Sequence, residues 1–152
     1  MKYRNLIWIL VVAMAVPVSS SADTKIILPD FKRVADGEKD YFVETTMPGD
    51  FKSLEAIFLA FLTLSPQAPN KNLTAPFFDK KQPLYLSFRG LRKKGKTVTL
   101  RFTGDSMEYL NAAITLGMAI QGALEKTIKL HAPDCKKVEY EVDGNVVEEW
   151  DA

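Results

Sequence analysis

The chain has 152 residues, 47% of them apolar, and a formal charge of +1 from 20 Lys and Arg against 19 Asp and Glu. That length suits one core, and the near-neutral balance excludes the strong global field of a protein that binds nucleic acid or anionic membrane through its net charge. The single cysteine, Cys135, excludes an intramolecular disulfide, so the core has to hold the fold alone.

Lys2 and Arg4 form a short positive n-region, Leu6 to Val16 is an unbroken apolar run, and Pro17 ends it before Ser19-Ser20-Ser21-Ala22. Ser20 and Ala22 fit the small −3 and −1 positions of a secretory signal, which predicts a signal peptide over 1–22 and a cut after Ala22. An uncleaved anchor is the alternative, and the run is shorter than the roughly 20 apolar residues that spanning takes. The cut would remove two basic residues and no acid, turning +1 into −1 and leaving one domain over 23–152. The expected location is extracytoplasmic, periplasmic or secreted. No cysteine sits at the cut to carry a lipid, and the C-terminal residues Glu148 to Ala152 are polar, unlike a hydrophobic C-terminal anchor signal.

In the mature chain, Lys25 to Leu28 reads as a short strand stopped by Pro29-Asp30, Phe31 to Lys39 as a charged loop, and Tyr41 to Thr46 as a second strand. Pro48-Gly49-Asp50 is turn chemistry, with Asp50 as N-cap of a helix over Phe51 to Thr63, where Phe51, Leu54, Phe58, Phe61 and Leu62 recur at helical spacing. A Pro- and Asn-rich loop follows through Pro76, with Asn72-Leu73-Thr74 a glycan acceptor only in a eukaryotic secretory pathway. Leu84 to Leu91 and Thr97 to Phe102 read as a hairpin turning over Arg92 to Lys96. In its return strand Val98, Leu100 and Phe102 alternate with Thr97, Thr99 and Arg101, the mark of a strand with one wet face. Asp105 or Ser106 is placed to cap a second helix over Met107 to Lys129. That helix is apolar around most of its circumference and therefore buried or partnered, with Gly117 and Gly122 leaving room for close approach. Asn111, Thr115, Gln121 and Glu125 interrupt it too often for a membrane span. Lys137 to Val142 alternates strictly, Asp143-Gly144 or Gly144-Asn145 is a hairpin turn signal, and Val146-Val147 starts a last strand. The expected fold is α+β, two helices packed on a mostly antiparallel sheet in the order β-β-α-β-β-α-β-β.

This arrangement resembles the GerMN domain, the module of GerM-type spore germination and sporulation proteins, over about Lys25 to Val147. Lys25-Ile26-Ile27-Leu28-Pro29-Asp30 is similar to its opening strand and Leu54 to Leu62 to its first helix. Lys96 to Phe102 is similar to its Val-x-Val-Asp-Phe/Leu strand, and Lys136 to Val147 to its Val-x-x-Val-x-Phe-x-Val-Asp-Gly ending. In that ending Asp143-Gly144 supplies the positive φ of a tight turn. The chain departs from the family at Leu64-Ser65-Pro66, Leu124 to Thr127 and Ala132 to Cys135. The resemblance implies a non-enzymatic role in assembling or stabilising extracytoplasmic complexes.

Chemistry is sparse. His131 and Cys135 flank a proline turn with nothing to activate the thiol, Gly104-Asp105-Ser106 lacks the second glycine of a nucleophile elbow, and Glu139 and Glu141 sit two apart on a wet strand face. No catalytic, metal or cofactor residues are therefore expected. Arg89, Arg92, Lys93, Lys94 and Lys96 form the one local charge feature, a hairpin tip that is either simply solvated or docks an acidic partner or an anionic envelope polymer. The expected function is a non-catalytic envelope module for protein interaction or assembly, with an envelope protein or another copy as partner and no nucleic acid. Binding of a small ligand or anionic polymer is the alternative, and an unrecognised hydrolase the weakest.

Overall fold

The structure is a computed structural model that describes residues 22–63, 73, 83–111 and 114–150. The signal segment expected before Ala22, and Asn72 and Thr74 of the glycan acceptor, lie outside the described residues. Among the described residues the order is β1 (Thr24–Pro29), α1 (Phe31–Ala35), β2 (Phe42–Met47), α2 (Leu54–Thr63), α3 (Pro83–Ser87), β3 (Phe88–Lys94), β4 (Thr97–Phe102), α4 (Met107–Leu110), α5 (Ile114–His131), β5 (Lys137–Val142) and β6 (Asn145–Val146).

The class is α+β, but the strands form two sheets. β1 and β2 pair antiparallel from Thr24 with Met47 to Pro29 with Phe42. The second sheet runs β3-β4-β5-β6; its outer pairs are antiparallel, while β4 and β5 are parallel from Thr97 with Lys137 to Phe102 with Val142. Parallel neighbours need a crossover of a dozen or more residues, and α4 and α5 lie in the connection between them.

Several local expectations are corrected. The loop expected after Asp30 contains one helical turn, α1, because the Asp30 carboxylate accepts from the amides of Lys32 (3.0 Å) and Arg33 (3.2 Å). Helix α2 starts at Leu54, later than expected: Ser53 caps it by accepting from the Ala56 amide at 3.1 Å, and Asp50 pairs with Lys52 instead. Leu84 to Ser87, expected as strand, is the helix α3. A proline suits its first position, and residues 84 and 87 are the buried ones, a spacing of three rather than two. The long second helix is two, α4 and α5. Asn111 leaves the helical region at φ −107° and ψ 24°, and the Gln121 amide donates to the Leu110 carbonyl freed there, at 2.6 Å. Neither Asp105 nor Ser106 caps α4 with its side chain. Among the described residues no helix is long and apolar enough to cross a membrane.

One core joins these pieces. The Phe58 ring lies 5.1 Å from Phe88, and Phe88 lies 5.5 Å from Phe102, so aromatic contacts tie α2 to β3 and β4. Val98, Leu100, Phe102 and Tyr140 line the covered face of the larger sheet, and Ile26, Leu28 and Met47 enter the same cluster from β1 and β2. Helix α5 touches both sheets. The Tyr140 hydroxyl donates to the Gln121 carbonyl at 3.3 Å on one side. On the other, Thr127 Oγ1 accepts from the Ile27 amide at 3.0 Å, and His131 Nε2 lies 2.6 Å from the Lys25 carbonyl. Phe42 of β2 sits against Gly122, where a Cβ would come within 2.4 Å of the ring, and Lys126 covers the ring at 4.8 Å. Close approach at Gly122, anticipated from its small size, is therefore to an aromatic ring.

Candidate functional site

The basic run is divided by its own strand. The turn expected over Arg92 to Lys96 is only Gly95-Lys96, with Gly95 at φ +58°, because β3 continues to Lys94. Period-two alternation then separates the cations. Arg92 and Lys94, in register with Thr99 and Thr97, share the uncovered face of the sheet, whereas Lys93 is in register with Val98 on the helix side. There Lys93 donates to both carboxylate oxygens of Asp134, at 2.8 and 2.7 Å, and this hydrogen bond holds the Asp134 carboxyl below the usual range. Arg89 sits in a bulge between Phe88 and Gly90 and donates to the Leu86 and Phe88 carbonyls at 2.8 and 3.0 Å, so it closes the end of α3. The five cations do not form one cluster at the tip.

What gathers on the uncovered face was not anticipated. The parallel pairing puts Lys137, Glu139 and Glu141 of β5 beside Thr97, Thr99 and Arg101 of β4. Glu141 takes Arg101 at 3.0 Å and Arg92 at 3.3 Å, and Glu139 takes Lys137 at 2.8 Å; that hydrogen bond raises the Lys137 pKa. The amides of Lys136 and Lys137 reach the Lys96 carbonyl at 2.8 and 3.3 Å, which brings Lys136 to the turn. Lys94, Lys96 and Lys136 form no salt bridge among the described residues, although Lys96 lies near enough to the Asp134 carboxylate on the helix side to help hold it ionised, so this end of the sheet carries a surplus of positive charge. Beside it an open hollow of about 650 Å³ is lined by Arg92, Lys94, Thr97, Thr99 and Glu139. Such a surface can steer and hold an anionic group, with Coulomb attraction from lysine and a hydrogen bond from the half-buried Thr97 hydroxyl, Thr99 being buried beneath its neighbours.

Asp143 and Gly144 lie in the two-residue turn between β5 and β6 with φ of 49° and 83°, the positive pair of a type I′ turn. Asp143 also reaches across the sheet end. Its Oδ1 accepts from the Gly104 amide at 3.1 Å, and a Cβ at Gly104 would fall 2.8 Å from its Oδ2. A residue some forty positions downstream thus holds the first amide of the 3-10 turn Gly104–Ser106 that leads into α4, while α4 itself has no side-chain cap.

The residues weighed for catalysis are engaged or enclosed. Ser106 is fully buried, and Cys135 is buried with its thiol donating to the Lys137 carbonyl at 3.2 Å. His131 faces the Lys25 carbonyl; a carbonyl only accepts, so Nε2 carries the proton. Glu139 and Glu141 are both ion-paired, and no metal-holding group of three is present among the described residues.

A second open cleft, of about 540 Å³, lies at the other end of the sheet order, against β5 and the tail after β6. Its walls include Glu125, Val138, Glu148 and Trp150. Trp150 meets Tyr140 edge-on at 5.2 Å. Burial raises the Glu125 carboxyl above its usual range, against the opposing charges of Lys129 and Lys126. Burial also pushes the Tyr140 hydroxyl well up, with Glu125 adding to the effect. No family model matches the chain, and no curated protein or solved structure matches it either.

Proposed function

We propose that this chain is an exported, non-catalytic binding module of a bacterial envelope that uses the uncovered face of its four-stranded sheet to dock the acidic surface of a protein partner. The observation that carries this reading is the group of exposed cations around the β3–β4 turn, where the backbone brings Lys136 to Lys96 from forty residues away and where Lys94, Lys96 and Lys136 form no salt bridge among the described residues. The GerMN resemblance supports it through the residues quoted above, and the signal segment supports an extracytoplasmic location, periplasmic or secreted.

The hollow lined by Arg92, Lys94, Thr97 and Thr99 favours a second reading, in which a small anion or anionic polymer occupies the same face. A photo-crosslinker at Thr97, with a control at Glu44 of β2, separates the two in the native envelope. The proposed function predicts one specific acidic protein captured from position 97 and not from position 44, and lost as salt is raised. Capture of glycan or small anionic material alone would move the assignment to the second reading.

A further inference from the structure

We propose that the β5 edge of the larger sheet is a second docking site, one that adds an extended peptide segment carrying a lysine or arginine opposite Val138. This goes beyond the reading of the uncovered face and involves ligand charge of the opposite sign. β6 covers only Glu141 and Val142, and one further bond, from the Val147 amide to the Tyr140 carbonyl at 2.8 Å, prolongs it. Tyr140 thus directs its carbonyl to this side, and by the two-residue period Val138 directs its amide and carbonyl the same way. No described strand lies there, because the tail leaves β5 after Val147 and packs Trp150 against Tyr140. One free residue pair on an edge is what strand addition uses, main-chain bonds giving affinity and side-chain contacts giving specificity.

The chemistry of the cleft selects the side chain. Val138 is in register with Val98 on the covered, helix side of the sheet, so a residue paired opposite Val138 projects its side chain to that same side. On that side α5 lies over the β5 edge, since Gln121 holds the Tyr140 hydroxyl and Glu125 one turn later lines the cleft with Trp150. The side chain therefore meets the indole of Trp150 and the partly desolvated Glu125 carboxylate, whose Oε2 is held only loosely by Lys129 at 3.8 Å, so a closer ammonium or guanidinium can compete for it while an acid is repelled. Glu148 adds negative charge at the rim, while Lys137 is occupied by Glu139. Flanking residues of the segment would fall on the opposite face, so an alternating sequence fits better than a uniformly basic one.

The test titrates the purified protein with an eight-residue peptide alternating valine and lysine, its glutamate-for-lysine counterpart, and a version N-methylated at the central lysine. Binding is followed by calorimetry and by amide exchange at Val138. The proposal predicts that the lysine peptide binds and slows exchange at Val138, that the glutamate peptide does not bind, and that N-methylation abolishes binding. Glu125→Gln, which keeps the shape of a half-buried side chain and so leaves folding intact, should weaken the lysine peptide roughly five-fold. Binding that leaves the Val138 amide unprotected, or that is indifferent to N-methylation and to Glu125→Gln alike, would overturn it.

Discussion

The two sheets share α5 but finish their edges differently. At β1, Thr127 gives one hydroxyl to both the amide and the carbonyl of Ile27, at 3.0 and 3.4 Å, and His131 one turn later takes the Lys25 carbonyl. These side chains at i and i+4 occupy the side of β1 away from β2, so the edge is closed by its own helix. At β5 the same helix contributes Glu125 to a cleft and leaves the outer side of the Val138 backbone, away from β4, without a described strand. One edge is thus sealed by two side chains of α5, and the other lies beside an aromatic ring and a carboxylate. The faces differ in the same sense, one side of the larger sheet closed by the core and the other set with ion pairs and with Lys94.

The contrast can be broken in graded steps. The largest effect belongs to the aromatic contacts that hold the larger sheet on α2: Phe58→Ala should cost about 3–5 kcal/mol in urea unfolding, because the ring is fully buried between Phe61 and Phe88. Next comes the closed edge. Thr127→Val keeps the shape and removes the hydroxyl, so it should cost about 1–3 kcal/mol and speed exchange of the Ile27 amide without changing that of Val138. Equal acceleration at both amides would mean that α5 supports the two edges alike. A smaller effect lies in the cleft. The Glu125 carboxyl is raised in the folded protein, so the stability linked to it is fully present below the ordinary glutamate range and is lost as pH rises through the raised value. Glu125→Gln should flatten that part of the stability curve, measured by urea midpoints across the mildly acidic range.

Much of the fold was legible in local pattern. Alternation marked Thr97 to Phe102 and Lys137 to Val142 as strands, and Asp143-Gly144 marked its turn, but of the face expected to be wet in β4 only Arg101 is exposed, Thr99 being buried. Leu84, Leu86 and Phe88 also alternate, yet the first two are helical, since an apolar run beside a proline reads either way until the spacing of buried residues decides it. The parallel pairing of β4 and β5 was illegible because it depends on where α5 returns the chain, which no local signal encodes. The candidate surface shared that fate. Arg92 and Lys94 were visible as charges, but their separation from Lys93 required knowing that the strand runs to Lys94, and the participation of Lys136 and Lys137 required the crossover. The cleft was invisible for the same reason, its walls being drawn from α5, β5 and the tail.

The most direct test of the central claim reverses the surplus charge while sparing the fold. The triple variant Lys94→Glu, Lys96→Glu, Lys136→Glu touches exposed side chains only, so its unfolding free energy should stay within about 0.5 kcal/mol per site of the parent. Capture of the acidic envelope partner by parent and variant is then compared at low and raised salt. Docking through the uncovered face predicts that the variant loses the partner at low salt, where the parent holds it, and that salt alone reproduces the loss in the parent. A folded triple variant that captures the same partner with the same salt dependence would contradict the claim.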